Sequence, residues 1–285
     1  MIRSVLVRSK LALRTWHETA MSSSLPPEIL DLIIEHLYDE PTTLRECCLV
    51  SKSWVPRTRI HLFDRINFFS SGPTLKSSIQ AFPNPSNSPT HYTRSLHLLY
   101  FAVLNVLPWI RSFNHIVELG VASVGADRRQ ISFAQLRGLS PTLKCLRISY
   151  SLAPLSEVLD FICSFPLLED LSLHYLTAIG DTDQWAAPPT SPKFSGSLFL
   201  DSSSSDIIRK LLDLPGGLHF SKITVVCPIG YSDLTKELVS KCSVTLESLS
   251  IEFYQGAFSP LSAVIQYLMI VPCSRYIHGQ DATFN

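Results

Sequence analysis

The chain has 285 residues, with 24 basic and 24 acidic side chains and a pI near 7.1. A neutral chain lacks the positive field that drives nonspecific binding to nucleic acid, so no nucleic-acid ligand is expected. Hydrophobic residues make up 46% of the chain and charged residues 17%, which is enough for a sizeable core in one or two domains.

The cysteines point to a reducing compartment. Their number, seven, is odd, they are widely scattered, and neither a Cys-x-x-Cys pair nor a glycosylation acceptor occurs. The longest apolar stretches are interrupted by polar residues or proline, or are too short, so no membrane span is predicted. We therefore expect a cytoplasmic and/or nuclear protein with no membrane partner.

Residues 1–24 are predicted to be a disordered N-terminal extension. Arg3, Arg8, Lys10 and Arg14 occur there with no acid before Glu18. One interpretation of this pattern is a mitochondrial presequence. The other interpretations are a plain tail, or a true translation start at Met21.

A short helical unit is predicted over residues 25–65. Pro26 and Pro27 suit the start of a helix, and Glu28 places an acid near the positive end of the helix dipole. Apolar residues then recur at helical spacing in three short segments. Roughly 40 residues make only a small core, so these apolar residues are either all internal or partly covered by a partner.

The order of motifs in this unit resembles an F-box. It opens with Leu-Pro, continues with an aliphatic pair and ends with Val-Ser-x-x-Trp at residues 50–54. The resemblance covers Leu25 to about Phe63. It implies that the unit docks on the Skp adaptor of a cullin-based ubiquitin ligase through an apolar surface. The residues that it implies in that surface are Leu25, Pro26, Ile29, Leu30, Ile33, Val50 and Trp54.

Short strands of the type Leu-x-Leu recur through the rest of the chain. Their first apolar positions are residues 96, 119, 146, 171, 198, 223 and 249, which are 23 to 27 residues apart. Four strands also have an apolar residue three positions upstream, as in Leu143-x-x-Leu146. Residues 66–271 therefore resemble an array of leucine-rich repeats.

Helix-sized segments alternate with these strands, at residues 154–164, 206–212, 233–239 and 259–269. We therefore expect an α/β fold in which a leucine-rich-repeat solenoid follows the helical unit, with parallel strands on its concave face and helices or loops on its convex face. The asparagine or cysteine usual after each strand in that family is missing, which leaves the curvature and register open. The residues found there instead are Val124, Ser151, Leu176 and Tyr254.

The unit between Leu171 and Leu198 has no clear helix pattern. Residues 180–192 have the composition of a loop and include Trp185. One interpretation is a loop that contacts a partner. The other is that Trp185 packs back into the space left by the missing helix.

Catalytic and metal-binding motifs are absent from the sequence. It contains no phosphate-binding loop, dinucleotide fingerprint, His-Glu-x-x-His or nucleophile elbow. Cys47 and Cys48 have apolar neighbours typical of core packing, so no catalytic residue, metal or cofactor is expected. The serines at residues 202–205 could accept phosphate, but a strand-to-helix connection that ends in an Asp206 cap explains them as well.

The two resemblances together are typical of fungal F-box proteins with divergent leucine-rich repeats. They imply a non-catalytic substrate receptor that binds the Skp adaptor, and through it the cullin scaffold, and holds an unidentified target protein. The alternative is a repeat-based binding scaffold without a ligase. Residues 272–285 are predicted to be an irregular tail. The side chains expected to face the target are those of His97, Glu118, Arg147, Asp170, His174, Lys222 and Glu252, together with Trp185.

Overall fold

The structure is a computed structural model that describes residues 26–69, 73–84, 88–99, 107–122, 133–149, 152–179, 185–189, 191–201, 205–227 and 232–253. The chain divides into two compact units, Met1–Leu62 and Phe63–Asn285. The N-terminal extension, Leu25, the helix predicted over residues 259–269 and the C-terminal tail lie outside the described residues.

The first unit is built from helices α1 (Pro27–His36), α2 (Pro41–Val50) and α3 (Val55–Asp64). Proline begins both α1 and α2, where the missing N–H costs no hydrogen bond. Leu30, Ile34 and Leu44 form a small buried core. The boundary between the two compact units falls in the last turn of α3.

An eight-stranded parallel sheet organises the second unit. Its order is β1-β2-β3-β4-β6-β8-β9-β10, while β5 and β7 pair in a separate two-stranded parallel sheet. The helices α4 (Pro73–Ala81), α5 (Leu107–Ile110), α6 (Leu155–Cys163), α7 (Ser205–Leu212) and α8 (Ser232–Cys242) connect strands. The strands are β1 (Arg65–Phe69), β2 (Ser95–Leu99), β3 (Glu118–Ala122), β4 (Cys145–Ser149), β5 (Leu152–Pro154), β6 (Asp170–His174), β7 (Thr177–Ile179), β8 (Ser197–Asp201), β9 (Lys222–Cys227) and β10 (Ser248–Phe253).

The strands pair in register, so equivalent residues form continuous rows across the sheet. One row, each member at most 1% exposed, contains Leu96, Leu119, Leu146, Leu171, Leu198 and Ile223. A second buried row lies two residues further along each strand, as in Ile148 and Leu173. Because side chains alternate along a strand, both rows face the core and the residues between them lie on the opposite face.

Backbone hydrogen bonds repeat at the start of successive strands. The Arg94 carbonyl accepts the N–H groups of Val117 and Glu118 at 2.7 and 2.9 Å. The same double acceptance recurs at the carbonyls of Val117, Lys144, Gly196 and Ser221. Each of these carbonyls therefore links the segment before one strand to the start of the next strand in the sheet.

Side-chain hydroxyls add hydrogen bonds between the segments that precede neighbouring strands, although the asparagine usual after each strand of a leucine-rich repeat is missing. Ser140 Oγ and Thr142 Oγ1 donate to the Ile116 carbonyl at 2.8 and 3.1 Å, and Thr245 Oγ1 donates to the Phe220 carbonyl at 3.2 Å. Leu176, at one of the positions without asparagine, is fully buried. The strand register is therefore regular without that asparagine.

The predicted α/β class with parallel strands is confirmed, and all seven predicted strands are present. The structure adds β1 at the edge of the sheet, ahead of the first predicted strand, and the short pair β5 and β7.

Candidate functional site

Helix α1 leaves three aliphatic side chains exposed. Ile29, Leu32 and Ile33 are 43%, 53% and 36% exposed. Residues three and four positions apart lie on the same side of a helix, so these three form one apolar strip. This strip is called the α1 strip below.

The end of α2 adds two more exposed aliphatic residues. Leu49 is 88% exposed and Val50 is 67% exposed. The small core of the unit therefore takes up only part of the aliphatic side chains on these two helices.

Polar contacts fix the helices that carry these side chains. The Arg57 guanidinium on α3 reaches Asp31 at 3.4 Å and Glu35 at 2.9 Å on α1. Thr58 donates to the Trp54 carbonyl at 2.7 Å and lies 3.1 Å from the Cys48 sulfur. The Arg57 pairs are exposed, so each contributes at most about 1 kcal/mol, and they serve mainly to orient α1.

The predicted adaptor-binding residues separate into surface and core positions. Pro26, Ile29, Ile33 and Val50 are exposed. Leu30 differs from the expectation because its side chain is buried in the core of the unit.

Trp54, also predicted in the surface, is partly buried and packs against the same core. Leu32 and Leu49 were not among the expected residues, although the spacing of Leu32 from Ile29 places it on the exposed side of α1.

In the second unit, the sheet face opposite the core holds every strand residue that was expected to face the target. Those residues alternate with the buried rows on their strands, and we call this surface the strand face. Its middle row, in register from β1 to β10, is Asn67, His97, Gly120, Arg147, Ser172, Phe199, Thr224 and Ser250.

His97 and Glu118 form a polar pair on this face. The His97 Nε2 atom lies 3.6 Å from the Glu118 carboxylate, which also accepts a hydrogen bond from Ser95 Oγ at 3.0 Å. Burial lowers the pKa of His97, and Arg147 adds to the decrease, while Glu118 opposes it. Gly120 leaves room for the ring, since a Cβ atom there would meet His97 Nδ1.

His174 has a similar environment three strands further along the sheet, on β6. Its Nδ1 atom lies 3.8 Å from the Asp201 carboxylate, and its ring stacks on Phe199 with centroids 4.5 Å apart. Burial lowers the pKa of His174, and the positive charge of Arg147 acts in the same direction. The two histidines therefore lie on either side of Arg147, which is exposed.

Asp170 has a structural role at the start of β6. It accepts hydrogen bonds from the Ser197 backbone and hydroxyl, the latter at 2.6 Å, and from the Cys145 thiol at 3.1 Å. Burial alone would raise the pKa of Asp170, but these hydrogen bonds lower it below its usual value. Burial and Asp170 raise the pKa of Cys145 to about 12, so this thiol stays protonated at neutral pH.

Trp185 packs against the hydrophobic core of the second unit and is partly buried. Its indole N–H donates to Asp160 on α6 at 2.9 Å, and Arg137 donates to the other oxygen of the same carboxylate at 2.8 Å. This geometry favours packing over a free contact loop.

Within the described ranges, no three His, Cys, Asp or Glu side chains are grouped so that they could hold a metal ion. None of the described helices is long and apolar enough to span a bilayer. The sequence matches no model of a known protein family and no curated protein.

Proposed function

We propose that this protein is a non-catalytic substrate receptor of a ubiquitin ligase of the Skp–cullin–F-box type. The helical unit binds the Skp adaptor, and the repeats bind a target protein. We also propose that the protein is located in the cytoplasm and/or nucleus.

The exposed α1 strip is the observation that carries the proposal. Aliphatic side chains that remain exposed on a unit of about 40 residues are most simply explained by a partner that covers them. The F-box resemblance, on the motif order from Leu25 to Trp54, supplies the identity of that partner.

We further propose that the parallel sheet belongs to a leucine-rich-repeat solenoid. Support comes from the in-register pairing of strands 23 to 27 residues apart and from the hydrogen bonds that recur at each strand start. A repeated scaffold of this kind offers a long strand face to a target.

In the proposed mechanism, the protein acts by holding other proteins close together. A receptor that holds the ligase scaffold with one unit and the target with the other raises the effective concentration of the target near the enzyme that transfers ubiquitin. The receptor itself forms and breaks no covalent bond.

A repeat-based scaffold without a ligase is the second candidate. Leu30 and Trp54 favour it, because two residues of the motif are accounted for by packing within the unit. The two candidates differ in one respect that can be measured, which is adaptor binding.

Isothermal titration of the full chain with a purified Skp-type adaptor tests the proposal. We expect micromolar or tighter binding, and a loss of more than about tenfold for the Ile29→Ala/Leu32→Ala double variant, because buried aliphatic anchors carry much of the energy of an interface. Both side chains are exposed in the free protein, so the free energy of unfolding should change by less than about 0.5 kcal/mol.

Val244→Ala is the matched control, since Val244 is an aliphatic residue of the second unit that is 96% exposed. Its adaptor affinity should equal that of the wild type. A folded wild-type chain that does not bind the adaptor at micromolar concentration rules out the ligase function and leaves the scaffold.

A further inference from the structure

The lysine and arginine side chains on the described part of the strand face are all exposed and evenly spaced. They are Arg65 on β1, Arg147 on β4 and Lys222 on β9. In the order of the sheet, three strand spacings separate Arg65 from Arg147, and three more separate Arg147 from Lys222. At the usual distance between strands, neighbouring bases are therefore about 14 Å apart across the sheet.

The carboxylates of the same face, from β1 to β9, are less accessible than these bases. Glu118 and Asp170 are half-buried, and both accept hydrogen bonds from side chains of the sheet. Asp201 is only 9% exposed. The exposed acid Glu252 lies on β10, outside this range. Three acids and three bases balance formally, but the bases are the charged groups that a ligand can reach.

Arg147 is the central base and the only charged residue of the middle row. Its neighbour in register on β6 is the small residue Ser172. Among the described residues, its guanidinium forms no ion pair. A guanidinium offers two parallel N–H donors that match the two oxygens of a carboxylate. Arg147 is therefore free to bind a carboxylate from outside the chain.

We infer that the strand face from β1 to β9 binds an extended acidic segment of the target. Asp or Glu side chains of that segment pair with Arg147 at the centre and with Arg65 and Lys222 on either side. The inference rests on the proposal that the repeats bind a target. The outer bases are roughly 28 Å apart, a distance that about nine extended residues span. Complementary charge of this kind selects between partners.

Fluorescence anisotropy with the full chain at low ionic strength tests this inference. Two labelled peptides of equal length are compared, one of alternating Ser and Glu and one of alternating Ser and Arg. We expect the acidic peptide to bind at least about tenfold more tightly than the basic one. Arg147→Gln should weaken binding of the acidic peptide about fivefold, the upper range for one exposed ion pair. Glu118→Gln should strengthen it, because a like charge is removed.

Lys241→Gln is the matched control, because it removes the same charge from an exposed residue at the end of α8, which is not on the strand face. It should leave the affinity unchanged, and thermal denaturation should confirm that each variant is folded. If Arg147→Gln does not fold, the Arg65→Gln/Lys222→Gln double variant replaces it and should also weaken binding. Tighter binding of the basic peptide, binding of neither peptide, or an equal loss in Lys241→Gln overturns the inference.

Adaptor binding measured on the same preparation separates this inference from the ligase proposal. A chain that binds the adaptor and not the acidic peptide overturns only the inference. A chain that binds the acidic peptide through Arg147 and not the adaptor supports the inference and overturns the ligase function.

Discussion

His97 and His174 both lie on the strand face, in rows two residues apart, and each is half-buried and faces a carboxylate of the next strand in the sheet. The charged groups near His97 are Glu118, Arg147 and Arg65, and those near His174 are Asp201 and Arg147. In both cases burial and the neighbouring cations outweigh the carboxylate, so the pKa is lowered.

The lowered pKa values predict a loss of stability in acid. In the unfolded chain, His97 and His174 take up protons near the ordinary histidine pKa of about 6.5. In the folded chain, they take up protons only at lower pH. The free energy of unfolding should therefore decrease as the pH falls from about 7.5 to about 5.5. We expect the His97→Gln/His174→Gln double variant to lose less stability over this range, measured by urea denaturation at both pH values.

Asp170 does not interfere with that measurement, because its lowered pKa affects stability only below a pH of about 4. A double variant that loses as much stability as the wild type, or more, contradicts the assignment of the pH dependence to these two histidines.

Leu30 shows what helical spacing can and cannot predict about single residues. The spacing correctly places an amphipathic helix after Pro27, with Ile34 in its buried row. Ile29 and Leu30 are neighbours and equally apolar, however, and only the packing of α2 and α3 decides that Leu30 is buried. The exposed position of Leu32 is decided in the same way.

At the scale of elements, the strands with Leu-x-Leu were predictable, and the others were not. β1 has the sequence Arg-Ile-Asn-Phe-Phe and begins 30 residues before β2, outside the range of the other spacings. It is a strand because Ile66 and Phe68 pair with Leu96 and Leu98. β5 and β7 have three residues each, too few for a periodic pattern.

The strand register predicts opposite effects for neighbouring side chains. Leu171 is 1% exposed in the core, while Arg147 is exposed on the strand face. Leu171→Ala should lower the free energy of unfolding by about 2 to 5 kcal/mol, because it leaves a cavity. Arg147→Ala should change it by less than about 0.5 kcal/mol.

Thermal denaturation of both variants decides between registers, since a shift by one residue would exchange the two faces of the strand. An equal loss in the two variants, or a larger loss for Arg147→Ala, contradicts the register.

At the scale of the whole molecule, the proposed function depends on two units with different surfaces. One offers exposed aliphatic side chains on α1 and at the end of α2. The other offers a polar strand face over a continuous core. The presence of a helical unit followed by parallel strands was predictable from the apolar spacing in the sequence, whereas the chemistry of the strand face depends on which side chains the register places side by side.

Hydrogen–deuterium exchange of the full chain, with and without a Skp-type adaptor, tests the central claim most directly. Because the α1 strip should be covered in the complex, we predict slower exchange in residues 27–36 and 46–50, and unchanged exchange in β6 and β8. Unchanged exchange in α1 with the adaptor bound, or slower exchange confined to the sheet, would contradict the account.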